Sequence, residues 1–295
     1  MEHYGHSVVV GLDRSAGGRA AVEHAATIAG RRHLPLRLVH AFEPSQFAIR
    51  PIASWAAEVE GAVRNSAERL MEDTLSGLAH DHPGLPVSSR LQPGSAVVTL
   101  LEESRSAACV VLGSRGSGDF VDLLIGSTTL HVASQAHCPV IAVPAPKDGS
   151  APRHGVVVGV DGSPDSEDAI DVAFQLAAET HEPLRAVHAW TDPALLGPGA
   201  MLPLAYDPAL VTEEERLVLA EAMAGWSEKY PDVAVDQQVV RGHPVATLVQ
   251  AGAKASYLVV GARGRGPLRS MLLGSVSHGV LHHADGPVVV VWRGI

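Results

Sequence analysis

Short apolar runs alternate with longer amphipathic stretches along this chain. In its first half the runs are Ser7 to Gly11, Leu36 to Ala41, Pro86 to Leu91, Cys109 to Gly113 and Val140 to Val143. The amphipathic stretches between them predict helices near residues 16–31, 56–81, 95–106 and 122–136. Runs that are apolar at every position suit strands buried on both faces, and helix-length crossovers between such strands make them parallel. With right-handed crossovers, five strands and four helices give an α/β, doubly wound unit with strand order 3-2-1-4-5 and helices on both faces.

The same pattern then runs a second time. VVVGLDRS from Val8 returns as VVVGVDGS from Val156, and Asp161 follows Asp13 by 148 positions. That offset also relates His40 to His188, Gly94 to Gly242, Gly113 to Gly261, Gly116 to Gly264, Gly126 to Gly274, Ser127 to Ser275 and Pro139 to Pro287. Two tandem domains of one design follow. PAPKDGSAPRH, residues 144–154, has linker composition and no apolar periodicity, so domains at 1–146 and 154–295 are expected around a linker at 147–153. The length of 295 residues suits two cores of about 150 residues each.

Composition narrows the function classes. Apolar residues make up 46% and charged residues 18%, so the chain can bury cores. A formal charge of −10 leaves no excess of cations to release counterions, which argues against nucleic acid as a partner. MEHYGHSVVVGLD lacks the layout of a secretory signal, and no stretch approaches the ~18 apolar residues of a membrane span. A cytoplasmic protein with no membrane contact is the expectation. Cys109 and Cys138 sit in apolar contexts outside any C-x-x-C pair and are expected as buried small hydrophobes.

Candidate chemistry concentrates after the first and fourth strands. In the second half, DGSPD places Ser163 as a helix N-cap and Pro164 at the first helical position. Asp161 then stands at the carboxyl end of the first strand, where such sheets bind ligands. An aspartate that only satisfies turn amides is the alternative. GSRGSGDFVDLLIGSTT, from Gly113, is a glycine-rich turn leading into a helix N-terminus, a geometry that lets backbone N–H groups approach an anion. Its second copy, GARGRGPLRSMLLGSVS from Gly261, keeps the glycines while most residues between them differ, so the constraint falls on backbone geometry. No G-x-x-x-x-G-K-[ST], no G-x-G-x-x-G after the first strand and no G-x-S-x-G occurs.

In its repeat, strand order and glycine spacing the chain resembles the universal stress protein family in its tandem, ATP-binding form. That form carries glycine, two residues, glycine, nine residues, then glycine followed by Ser or Thr. The pattern occurs here as Gly113, Gly116, Gly126 and Ser127, and again as Gly261, Gly264, Gly274 and Ser275. The resemblance implies one ATP site per domain. Asp13 and Asp161 then approach the adenine and ribose side, and the backbone at Ala41 and Ala189 reads the adenine edge. The motif glycines, with Ser127, Thr128, Ser275 and Val276 at the helix starts, meet phosphate and ribose.

Arg115 and Arg263 lie between the first two glycines of each copy, where a guanidinium pairs with phosphate or simply solvates the loop. With no lysine clamp, Mg²⁺ is expected to share the charge neutralisation, its other ligands being water.

Other features take plainer readings. His278 and His282 are spaced i, i+4, but their first-half counterparts are Leu130 and Ser134, so a solvated helix face is favoured over a metal pair. His40 and His188 read as hydrogen-bonded structural imidazoles. Glu213 to Glu215 read as acids in the first turn of a helix. The apolar final strands, PVIAV and PVVVVW, lie at a sheet edge and are expected to pair as an intrachain pseudo-dimer, with a homodimer as a further option.

The functional expectation is an ATP-dependent regulator or energy sensor acting on a protein partner that no residue pattern identifies. A slow ATPase or nucleotide-dependent transferase is the alternative, and a structural protein with vestigial loops the third reading.

Overall fold

The computed structural model describes residues 7–42, 53–115, 125–146, 149, 151–191, 207–264 and 273–294. The chain divides into two units, Met1–Asp148 and Gly149–Ile295. The first runs β1 (Ser7–Gly11), α1 (Ala16–Arg32), β2 (Leu36–Phe42), α2 (Ala53–Asp81), β3 (Val87–Pro93), α3 (Ala96–Ser104), β4 (Ala107–Gly113), α4 (Ser127–Ala133) and β5 (Val140–Val143). Its strands are parallel in the order β3-β2-β1-β4-β5.

The second unit runs β6 (Val156–Gly159), α5 (Pro164–Thr180), β7 (Leu184–Trp190), α6 (Pro208–Ala222), α7 (Trp226–Lys229), β8 (Val235–Arg241), α8 (Pro244–Gly252), β9 (Tyr257–Gly261), α9 (Ser275–His283) and β10 (Val288–Val291). Its order, β8-β7-β6-β9-β10, is the same one counted from its own first strand.

The central strands explain why both sheets hold. Val8, Val9 and Val10 of β1 and Val110 and Val111 of β4 are wholly buried, as are Val156 and Val158 of β6 and Val259 of β9. Each such side chain removes apolar surface worth about 1.5–3 kcal/mol. The outer strands β3 and β8 bury no residue fully, each position being half-buried or exposed. Cys109 and Cys138 are buried and form no disulfide, and burial, with Cys109 as neighbour, pushes the Cys138 thiol up.

Helix ends repeat between the units. Ser15 caps α1 by accepting from Gly18 N, and Ser163 caps α5 by accepting from Ser166 N. Both helices stop at a histidine in the left-handed region, His33 at φ 53° and His181 at φ 55°. The next residues then donate back to Ala29 O and Ala177 O.

The units differ at α2 and the helices that correspond to it. α2 is one 29-residue helix, whereas α6 and α7 are separated at Gly225, which adopts φ 79°. The break brings Trp226 and Tyr230 onto Phe174, with ring centroids 5.7 and 5.2 Å away. In the first unit Ala26 stands at the position of Phe174 and needs no such cover. α6 begins at Pro208, so Glu213 to Glu215 lie beyond its first turn, contrary to the placement expected from sequence. Among the described residues no helix is long and apolar enough to cross a membrane.

Candidate functional site at the carboxyl ends of the strands

The turn after each first strand is built around its aspartate. Asp13 Oδ1 accepts from Ser15 N at 3.0 Å and from Ser15 Oγ at 2.5 Å, and Asp161 Oδ1 accepts from Ser163 N at 2.9 Å. Part of each carboxylate therefore holds the turn that starts the helix, as the plainer reading of this aspartate requires. The residue before each aspartate is pinned by a histidine from the second strand: His40 Nδ1 lies 2.7 Å from Leu12 O, and His188 Nδ1 lies 2.6 Å from Val160 O. Since a carbonyl only accepts, Nδ1 carries the proton in both rings. His188 also meets Glu215 Oε2 through Nε2 at 2.7 Å, which gives the acidic residue of α6 a partner. Both imidazoles are structural supports of the aspartate turn, His188 deeply buried.

The fourth strand delivers the glycine segment next to that turn. Gly113 ends β4 so close to α1 that an added Cβ would lie 2.6 Å from the Gly17 carbonyl carbon. Gly261 ends β9 with the Asp165 carbonyl oxygen 2.9 Å from the same point. These two glycines thus serve strand-to-helix proximity. Gly264 faces the Asp161 carboxylate directly, with no room for a Cβ. Gly116, its first-unit counterpart, lies outside the described residues.

A shared set of bonds closes the base of each segment. Gly126 N donates to Ser114 O at 2.7 Å and Gly274 N to Ala262 O at 2.8 Å. Ser114 N and Ala262 N in turn donate to Val143 O and Val291 O. Thr129 Oγ1 donates to Gly113 O at 2.7 Å, and Ser277 Oγ to Ala262 O at 2.8 Å. Sequence reasoning missed Thr129 and Ser277, although a hydroxyl recurring at the 148-residue offset was the available signal.

The closed loops present helix starts. Gly126 and Gly274 occupy the N-cap positions of α4 and α9, at φ −71° and −68°, and neither helix has a side-chain cap. α1, α5 and α6 have their first amides covered by Ser15, Ser163 and Asp207, whereas α3, α7 and α8, like α4 and α9, have no side-chain cap. At Gly274 an added Cβ would meet Ala262 O at 3.2 Å and Arg263 Cα at 3.3 Å, so a capping side chain has little space. Uncapped amides carry partial positive charge and suit an anion. Ser127 and Ser275 are exposed, and Thr128 and Val276 half-buried, at these starts. α4 begins at Ser127 behind the N-cap Gly126, the helix start into which the glycine segment leads.

Ala41 and Ala189 sit at the carboxyl ends of β2 and β7, half-buried, beyond the last pairs with the first strand, Gly11↔Val39 and Gly159↔Val187. Arg115 and Arg263 are both exposed but differently set. Ser15 Oγ lies 3.2 Å from the Arg115 carbonyl oxygen, which ties the first loop to the start of α1. The Arg263 guanidinium lies 4.9 Å from the Trp292 ring. Burial holds the neighbouring Asp165 carboxyl above its ordinary range, against the opposing pull of Arg263 and Arg293.

His282 is half-buried beside His278, ring centroids 4.5 Å apart, and burial, then the charges of His278 and His283, lower its pKa. Among the described residues no group of three or more His, Cys, Asp or Glu side chains could hold a metal ion.

Comparison with known proteins agrees with this architecture. The model of the universal stress protein family matches residues 6–144 and 153–291. The chain is 40% identical over 293 residues to universal stress protein Rv2005c of Mycobacterium tuberculosis, covering 97% of this chain and 96% of that protein. It is 38% identical over 298 residues to Rv2623 of the same organism, covering 96% and 95%. Among solved structures, a universal stress protein from Archaeoglobus fulgidus superposes with a TM-score of 0.64 at 19% identity, over 99% of this chain and 98% of that one, a likeness of fold.

Proposed function

The chain belongs to the universal stress protein family, and on that premise we propose that it is an ATP-binding regulator of a stress response, with one nucleotide site in each unit. The carrying observation is the duplicated helix start: α4 and α9 begin uncapped behind a loop closed by the same backbone bond, directly beside the aspartate turn. A triphosphate fits that chemistry, because the amides that open α4 and α9 carry partial positive charge and the glycine at each N-cap brings no side chain to cover them.

In this reading the amides and hydroxyls at Ser127, Thr128 and Ser275, with the amide of Val276, hold phosphate and ribose. Asp13 and Asp161 face the ribose, and the backbone at Ala41 and Ala189 meets adenine. Arg115 and Arg263 lie along the phosphate path. Mg²⁺ travels with the phosphates and keeps water as its remaining ligands.

Regulation is favoured over turnover because the aspartates best placed to organise a hydrolytic metal are engaged with Ser15 and Ser163. At ATP about a thousandfold above its dissociation constant, occupancy stabilises the folded chain by ~4 kcal/mol, enough to bias a two-state element that discriminates between bound and free forms. The cytoplasm supplies such nucleotide, and a protein partner reads the occupancy.

Calorimetric titration with Mg-ATP tests the reading. Two equivalents per chain are expected, falling to one in Gly274→Val. No heat of binding at millimolar ATP would overturn it.

A further inference from the structure

The imidazole of His188 stands between two parts of the second site. One is the peptide that leads into Asp161. Val160 N donates to Val187 O at 2.9 Å, and His188 Nδ1 donates to Val160 O at 2.6 Å, so both polar groups of Val160 are bound by β7. The next residue is Asp161, whose Oδ1 accepts from Ser163 N at 2.9 Å. The other part is Ala189, the chain neighbour of His188 itself.

α6 fixes the ring from its far side. His188 Nε2 lies 2.7 Å from Glu215 Oε2, with the ring buried and the Glu215 side chain half-buried. A histidine ring turns easily about its outer torsion. Held at Nδ1 by the strand end and at Nε2 by the helix, it has a single orientation, and Glu215 reaches the aspartate turn through it.

The first unit joins the same two places by different chemistry. At the position of Glu215 it has Ala67, which offers no bond. There Arg14, the residue after Asp13, donates through Nη2 to Ser66 O on α2 at 2.9 Å and to Ser66 Oγ. Gly162 and Glu214 stand at the positions of Arg14 and Ser66 in the second unit, so that bond has no counterpart there. Two unrelated bonds thus tie an aspartate turn to the helix that follows the second strand. What the two units share is the junction, not the residues that make it.

We propose that Glu215 is a positioning residue of the second site, which sets the aspartate turn through His188 and so links nucleotide binding there to the order of α6. This rests on reading that site as a nucleotide site. A nucleotide that engages Asp161 and the backbone at Ala189 restrains the two groups flanking His188. The ring carries that restraint to Glu215, and α6 opens less often.

The test combines calorimetric titration with Mg-ATP and amide hydrogen exchange, with and without saturating Mg-ATP, on the full-length wild type, Glu215→Ala and Glu215→Gln. In the wild type Mg-ATP should slow exchange in both α2 and α6. In Glu215→Ala one of the two binding equivalents should weaken about tenfold, the scale of one lost hydrogen bond to a charged group. The slowing in α6 should disappear while that in α2 stays. Glu215→Gln, whose amide still bonds Nε2, should restore both affinity and slowing. A role confined to packing α6 would instead change its exchange equally with and without nucleotide.

Exchange in wild-type α6 that stays the same while ATP binds would overturn the proposal, whatever the variants do. So would two equivalents of wild-type affinity in Glu215→Ala, or a Glu215→Gln as weak as Glu215→Ala, and each of these leaves the nucleotide reading intact. Absence of any ATP binding would overturn the nucleotide reading and this inference with it.

Discussion

Replacing Gly113 by alanine tests whether the motif glycines stand at strand ends for proximity rather than flexibility. An alanine Cβ there would lie 2.6 Å from the Gly17 carbonyl carbon, 2.8 Å from Gly18 N and 3.0 Å from Gly17 O. Non-bonded carbons pack at about 3.5–4.0 Å, so the overlap is roughly 1 Å, and it falls on backbone that has no rotamer to change. α1 would have to retreat from β4, loosening Ala21, Ala25 and Ala29, which are wholly buried.

Overpacking of this kind costs about 1–3 kcal/mol, and three backbone contacts place Gly113→Ala near the upper end. Alanine recovers about 0.4–1 kcal/mol by restricting the unfolded chain, which leaves a net loss of about 2 kcal/mol. At Gly261 the nearest atoms are Asp165 O at 2.9 Å, Asp165 C at 3.1 Å and Arg263 O at 3.2 Å, so a few tenths of an ångström suffice and about 1 kcal/mol is expected.

Urea unfolding followed by circular dichroism would show both changes. With a slope of about 2 kcal/mol per molar urea for a unit of this size, the midpoint of the affected unit should fall by about 1 M for Gly113→Ala and by half as much for Gly261→Ala. Stability within 0.5 kcal/mol of wild type for Gly113→Ala, or a larger loss at Gly261, would refute the packing argument.

Two further predictions concern pH. His24 on α1 has its pKa lowered to about 4 by burial and, secondarily, by Arg31. The unfolded chain therefore binds the extra proton first, so stability present above about pH 6.5 should be lost as pH falls toward 4, by up to ~3 kcal/mol. Val172 occupies the equivalent position in the second unit, so His24→Val should flatten that slope in thermal melts taken from pH 7 to 4.5, and an unaltered slope would count against His24 as its source.

Glu103, buried on α3, lies 2.6 Å from Arg37 Nε and 2.8 Å from Arg90 Nη1. Burial pushes its carboxyl up, but the bonds and charges of Arg90 and Arg37 outweigh it and hold the pKa below the ordinary value. The stabilisation is present at neutral pH and fades as pH drops through the carboxylate range. Glu103→Gln should cost about 1–2 kcal/mol at pH 7, discounted because both arginines are partly exposed, and little at pH 3.5; an equal cost at both would contradict the ion-pair origin.

The fold was legible because two signals agree at every level: all-apolar runs mark the central strands, and the 148-residue offset repeats them. β1 runs from Ser7 to Gly11 as its apolar run does. β3 extends to Pro93, past its apolar run, because the pairing with β2 continues through Ala41↔Gln92 and Phe42↔Pro93. The ends of α1 and α5 gave no glycine signal, since His33 and His181 adopt the left-handed conformation themselves.

Gly225 breaks its helix while its counterpart Gly77 stays inside α2, a difference decided by Phe174 across the interface rather than by the glycine. At the candidate site, spacing alone placed the aspartate turn beside the glycine segment. It could not show Arg263 on Trp292, a contact across 29 positions whose tryptophan has no counterpart in the first unit, where Pro144 stands.

The central claim is that each unit holds a nucleotide, and what the protein carries when it is purified without any added tests it most directly. Denaturing the chain and identifying the released small molecules by chromatography and mass should yield adenine nucleotide, rising to two equivalents per chain after incubation with Mg-ATP. A chain that releases none and takes up none would contradict the account, leaving two doubly wound units whose uncapped helix starts serve some other anion.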